Sequence, residues 1–142
     1  MKETKESVAI VIKNSNGSFL AVQRADDDSF GNMWGLPAAS VRRGEELEDT
    51  AKRAAKDKLG VDIDILETIG SMTLDKGDCF EHLTEYLVDI VSGEILLETR
   101  DPSVSRYKEF KYSNEPSILI PAAQSGSICS RIFLKSNHLS WD

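Results

Sequence analysis

Apolar and polar positions alternate along the chain in short blocks that mark out its elements. Residues 7–13 and 19–24 are runs of apolar and β-branched residues on either side of Asn14-Ser15-Asn16-Gly17. The Asn-Gly dipeptide supplies positive-φ positions, so the pair predicts a β-hairpin. The charged residues ahead of it predict a frayed end. Residues 25–32 hold three consecutive aspartates and no periodic apolar face, which predicts an exposed loop, solvated or serving as a rim that helps hold cations. Strong helix formers fill 45–59, with Leu47, Ala51, Ala55 and Leu59 at i, i+4 spacing and Gly60 where a left-handed C-cap belongs. Strands are predicted at 61–69, 84–90 and 94–98, with Ser92-Gly93 turning the last two into a hairpin and Asp75-Lys76-Gly77-Asp78 forming a loop. An extended segment at 106–112 and a closing helix at 121–135 complete the chain. Strands, helix, strands, helix in that order predict a mixed sheet with helices on its faces.

A length of 142 residues fits one domain over 1–142, and 40% hydrophobic with 29% charged residues is enough apolar material for one core. The net charge of −7 argues against extended nucleic acid as a partner, because backbone phosphates need a basic surface; a local basic patch stays compatible with it. The apolar run at 8–12 is too short to span a membrane and has no cleavage pattern beside it, so a cytoplasmic location without membrane contact is expected. Cys79 and Cys129 lack partners at metal spacing and read as reduced thiols. His82 and His138 do not complete a zinc set with Cys79.

The chemistry concentrates at 31–63. Trp34-Gly35-Leu36-Pro37 leads into Glu45, Arg53 and Gly60-Val61, all without gaps. This pattern resembles the Nudix box, G-x5-E-x7-R-E-U-x-E-E-x-G-U with U a bulky aliphatic residue, over residues 39–61. The resemblance implies an α/β (α+β) fold of the Nudix type, an α/β/α sandwich whose mixed sheet carries the box helix on one face and a C-terminal helix. It further implies hydrolysis of a phosphoanhydride in a nucleoside diphosphate derivative (nucleotide, dinucleotide or nucleotide sugar), with Mg2+ or Mn2+ if active, and a homodimer. The departures fall on the residues the family uses for catalysis. Ala38-Ala39 replaces a Gly-Gly pair, Ala54 the first helix glutamate, Asp57 the second and Lys58 the last. Carboxylates at i, i+3 and i+4 gather on one helix face to collect divalent cations, and here basic residues slightly outnumber acidic ones between 42 and 60.

By the resemblance, Glu45, Arg53 and Asp57 are the catalytic candidates, with Arg53 orienting Glu45 or another carboxylate. Asp57, Glu45 and the Ala38 carbonyl are the metal candidates, weakly acidic as a set; Glu81 and Glu85 on a following strand can add to them or simply face solvent. Arg24, matching a phosphate-contacting arginine, is a substrate candidate. So are Phe30 and Trp34, whose rings can stack on a base, and Lys58, whose ammonium can meet phosphate directly. Three readings follow: an atypical hydrolase that needs a divalent cation; a non-catalytic nucleotide or phosphometabolite sensor that uses Arg53 and Lys58 in place of metal; and a purely protein-binding module.

Overall fold

The computed structural model describes residues 2–25, 30–97 and 107–142. In chain order the elements are β1 (Glu3–Ile12), β2 (Phe19–Arg24), β3 (Trp34–Gly35), β4 (Ala38–Ser40), α1 (Leu47–Leu59), β5 (Asp62–Asp75), β6 (Cys79–Ser92) and β7 (Tyr107–Ser113). A 3-10 turn (Pro116–Leu119), α2 (Ile120–Gln124) and α3 (Ile128–Ser136) follow. Two sheets form: a mixed one in the order β4-β1-β6-β5 and an antiparallel one in the order β3-β2-β7.

The expected hairpin between the first two strands is not made. Residues 8–12 are buried at every position, so β1 needs cover on both faces and sits inside the mixed sheet, antiparallel to β4 and parallel to β6. β2 pairs instead with β3 and β7, and a lone Lys13–Phe19 bridge joins the two strands. The turn itself was legible: the Asn14 side chain accepts the N–H groups of Asn16 and Ser18. Nor are residues 3–6 frayed, since Glu3 already lies in register with Cys79.

A second correction concerns β6, whose hairpin partner is β5 rather than residues 94–98. The long antiparallel pair turns at 75–78, where Lys76 N–H donates to Cys79 O and the Asp75 carboxylate accepts from Gly77 N–H. Residues 93–97 run as a strap across the end of α1, Leu96 N–H donating to Leu59 O, with Ile95 and Leu97 packed on the core. Residues 26–29 of the aspartate loop, Glu98 and Arg106 lie outside the described residues. The closing helix is also split. Gly126 takes φ +101°, and Ser127 then caps α3 by accepting Ser130 N–H.

The sheet separates two apolar layers. On one side α1 lays Ala51, Ala55 and Leu59 against Val8, Ile10, Tyr86 and Val88. On the other, α3 lays Cys129, Ile132 and Phe133 against Ala9, Val11 and Leu83. This is the expected α/β/α sandwich, with α1 on one face and the C-terminal helix on the other. Gly60 ends α1 at φ +71°, and its N–H reaches back to Lys56 O.

Candidate functional site

The segment ahead of α1 is tied to the helix by one ion pair. Arg53, on α1, donates from Nε to Glu45 Oε2 at 2.8 Å and from Nη2 to Glu45 Oε1 at 3.0 Å. The same Nη2 donates to Ser40 O at 2.7 Å, fastening β4 to the helix. Glu45 Oε1 also accepts from Arg42 N–H at 3.0 Å and from the Thr50 hydroxyl at 2.7 Å. The hydrogen bonds from Arg53 are the main cause that holds the Glu45 carboxyl down at about 2, with Arg42 N–H and Thr50 adding to them against the cost of partial burial. The same bond pushes the Arg53 guanidinium up. Arg53 therefore turns back to Glu45 and β4.

Both backbone groups of Ala38 are engaged by side chains. Its N–H donates to Tyr107 Oη at 3.2 Å, and its carbonyl accepts from the Lys58 ammonium. The buried Tyr107 ring has cations on it from two elements: Lys58 Nζ lies 5.5 Å and the Arg24 guanidinium 5.6 Å from its centroid.

Beside this cluster opens a cleft of about 220 Å³. Ala38, Ala39 and Ser40 form one wall, Ser7, Glu81 and Leu83 the sheet side, and the start of α3 from Gly126 to Cys129 the opposite wall. Arg24, Lys58, Lys76 and Phe30 complete the lining, so among the described residues three cations and the carboxylate of Glu81 face it. Lys76 donates to Gly126 O at 3.0 Å and lies 3.9 Å from Glu81 Oε2, while Ser7 Oγ is 3.5 Å from Glu81 Oε1.

Of the residues singled out by sequence, Arg24, Phe30, Ala38, Lys58 and Glu81 thus share one cleft. Glu45 and Arg53 brace its wall from behind. Asp57 follows Arg53 by one helical turn, half-buried, and does not line the cleft. Trp34 does not line the cleft but packs on the apolar layer under α3, with Lys111 Nζ 4.4 Å from its ring centroid. Glu85 does not line the cleft but lies across Ala9 of β1 from Ala38, between Leu83 and Leu87 on the α3 face, fully buried, with no partner for either carboxylate oxygen among the described residues. Burial, and then the neighbouring Cys129, push its pKa well above the carboxylate range. Sequence reasoning did not single out Lys76, whose position at the tip of a long hairpin depends on pairing between distant strands.

The comparisons decide the family. A model of the NUDIX domain matches residues 3–117. The chain belongs to the Nudix family. A curated relative, the RNA pyrophosphohydrolase of Wolbachia pipientis subsp. Culex pipiens (strain wPip), is 36% identical over 61 residues, which are 43% of this chain and 36% of the relative. This chain therefore aligns with little more than a third of that relative's length. Among solved structures, the MutT protein of Methanosarcina mazei Go1 superposes with a TM-score of 0.71 at 16% identity, covering 96% of this chain and 95% of that one. A NUDIX hydrolase from Nitrosomonas europaea gives 0.72 at 14% identity, covering 96% and 89%. At such identities these two show the Nudix fold alone. No helix among the described residues is long and apolar enough to cross a membrane.

Nudix hydrolases generally use divalent metals such as Mg2+ or Mn2+. The described residues of this Nudix chain do not fit one. Both oxygens of Glu45 are taken by protein donors, the Ala38 carbonyl is taken by an ammonium, and no three His, Cys, Asp or Glu side chains are gathered to share a cation.

Proposed function

We propose that this Nudix protein hydrolyses a phosphoanhydride in a nucleoside diphosphate derivative, a nucleotide, dinucleotide or nucleotide sugar, whose phosphates enter the cleft. The observation that carries this reading is the convergence of Arg24, Lys58 and Lys76 from three separate elements on one cleft beside the box loop. Polyphosphate is the ligand chemistry that such a convergence of cations suits, through charge-assisted hydrogen bonds. The pyrophosphohydrolase name of the Wolbachia relative points to the same bond.

In this reading the phosphates lie along the three cations, which stabilise the charge spread over the phosphoryl oxygens as water attacks in line. Glu81, the carboxylate in the described lining of the cleft, takes the proton of that water as the water oxygen bonds to phosphorus. The anhydride P–O bond breaks and the leaving phosphate departs as an anion, held by the cation nearest to it. Phe30 meets the nucleoside side at the cleft mouth. Glu45 and Arg53 are positioning residues that hold β4 against α1. No step is routed through a metal. The chain acts as a single domain over 1–142 in the cytoplasm, with a homodimer as the form in solution, which light scattering would read.

The test is phosphate release from nucleoside di- and triphosphates, dinucleoside polyphosphates and nucleotide sugars, by wild type, Arg24→Ala and Glu81→Gln. Expected is turnover of at least one class, with kcat falling in Glu81→Gln and KM rising in Arg24→Ala. Absence of turnover across the panel, with or without Mg2+, would sink the reading. The commitment of Glu45 and the Ala38 carbonyl favours a second reading, a sensor that binds such ligands without cleaving them. It predicts ligand-induced stabilisation with no product.

A further inference from the structure

We infer that the Lys58 ammonium is the resident counter-cation of the box loop, and that the cleft takes a pyrophosphate group through Lys58, Arg24 and Lys76 with no divalent cation required. The inference deepens the reading above, from which it takes the location of the site. It grows out of the disagreement between this chain's residues and the metal its family generally uses.

Three observations carry it. First, the Ala38 carbonyl, the one backbone oxygen named with Glu45 and Asp57 as a metal candidate, already accepts a full positive charge from Lys58. A divalent cation there would have to displace that ammonium and then sit beside it. Second, Glu45 cannot turn to a metal without giving up four donors, two of them from Arg53. Loss of those bonds would also release Ser40 and the β4 wall, because the same guanidinium holds both. Third, the Tyr107 ring and its hydroxyl fix the arrangement from the other sheet. The ring carries Lys58 and Arg24 at nearly equal distances, and the hydroxyl accepts Ala38 N–H.

Among the described residues the cleft thus gathers like charges from α1, β2 and the β5–β6 turn around one carboxylate. Cations gathered in this way gain from a multivalent anion placed between them. A pyrophosphate offers several oxygens in a row, so two or three cations engage it at once.

The experiment titrates inorganic pyrophosphate into the wild-type chain by calorimetry in EDTA, and follows Mn2+ with the wild-type chain by electron paramagnetic resonance. Expected is saturable pyrophosphate binding in EDTA, about tenfold or more weaker in Lys58→Gln, as loss of one charge-assisted contact predicts. The Mn2+ spectrum should stay that of the free ion with wild type, while Lys58→Glu, which adds a carboxylate where the ammonium was, takes up Mn2+. ADP run beside pyrophosphate separates the free anion from the nucleotide-borne one. Failure of pyrophosphate to bind in EDTA, or stoichiometric Mn2+ binding by wild type, overturns the inference. Both of these readouts use wild type, so they decide even if a variant fails to fold. The two proposals fail separately. Mn2+ bound by wild type with Mn2+-dependent turnover keeps the hydrolase and removes this inference. Pyrophosphate held in EDTA with no turnover of any substrate does the reverse.

Discussion

Replacing Glu85 by leucine should stabilise the protein and flatten its response to pH. Glu85 sits fully buried on β6 between Leu83 and Leu87, opposite the side-chain-free Gly70 and near Cys129 of α3, and neither oxygen has a partner among the described residues. A buried polar group left unsatisfied costs about 1–3 kcal/mol, and leucine of similar volume removes that cost while adding apolar contact. For a chain of this size such a gain raises Tm by roughly 3–10 °C. The pH dependence has a definite sign. Burial raises the folded-state pKa above the ordinary 4.5, so the folded chain holds this proton more tightly than the unfolded one. The associated stability is present in full below pH 4.5 and is lost as pH rises towards the folded value, at about 1.4 kcal/mol for each pH unit in that interval. Urea unfolding at pH 5 and pH 8 reads both effects: wild type should lose stability between them, and Glu85→Leu should lose much less. A leucine variant less stable than wild type by more than about 1 kcal/mol at both pH values would refute the reasoning, since a core site of this kind should accept an apolar side chain. So would an unchanged pH slope.

Other expectations follow from the box and its supports. Arg53→Ala should cost about 1–3 kcal/mol, the full value of the Glu45 shift being discounted for partial exposure. Because the Glu45 pKa is lowered to about 2, that contribution is present above pH 4.5 and lost as pH falls, so acid titrations of wild type and variant should converge at the acid end. Tyr107→Phe removes the acceptor for Ala38 N–H and should cost about 0.5–1.5 kcal/mol in urea unfolding, with weaker ligand binding in the cleft. Gly93→Ala should cost about 1–3 kcal/mol in thermal unfolding. Residue 93 has φ +92°, and an added Cβ would lie 2.8 Å from Gly60 O.

The helix of the box was the most legible element. Its i, i+4 face, its glycine cap and the Glu45–Arg53 spacing are local patterns, and α1 carries them with only the first two residues of the expected span left outside. Strand partners were less legible for a definite reason. Residues 8–12 are apolar at every position, and a run without period two does not say which neighbours cover it, so the nearest apolar run looked like the partner. The same holds for 93–97, where alternating Ile95 and Leu97 fit a strand but serve as a strap. At the candidate site, Lys76 reaches the cleft only because β5 and β6 pair over their whole length. The Glu85 anomaly did have a signal, a carboxylate standing between Leu83 and Leu87 on alternate positions of one face.

The parallel pairing of β1 with β6 sets a schedule for folding. β1 is complete at Ile12, yet its parallel partner begins only at Cys79, and β7, the more distant partner of β2, ends at Ser113. Until those segments leave the ribosome, the run Val8-Ala9-Ile10-Val11-Ile12 is an uncharged, β-prone stretch without its native neighbours. Stretches of that kind pair readily with copies of themselves, and sheets closed by distant strands assemble slowly. The charges at Lys2, Glu3, Lys5 and Glu6 directly before it, and Lys13 directly after, then act as gatekeepers for the nascent chain. Removing them should lower soluble yield.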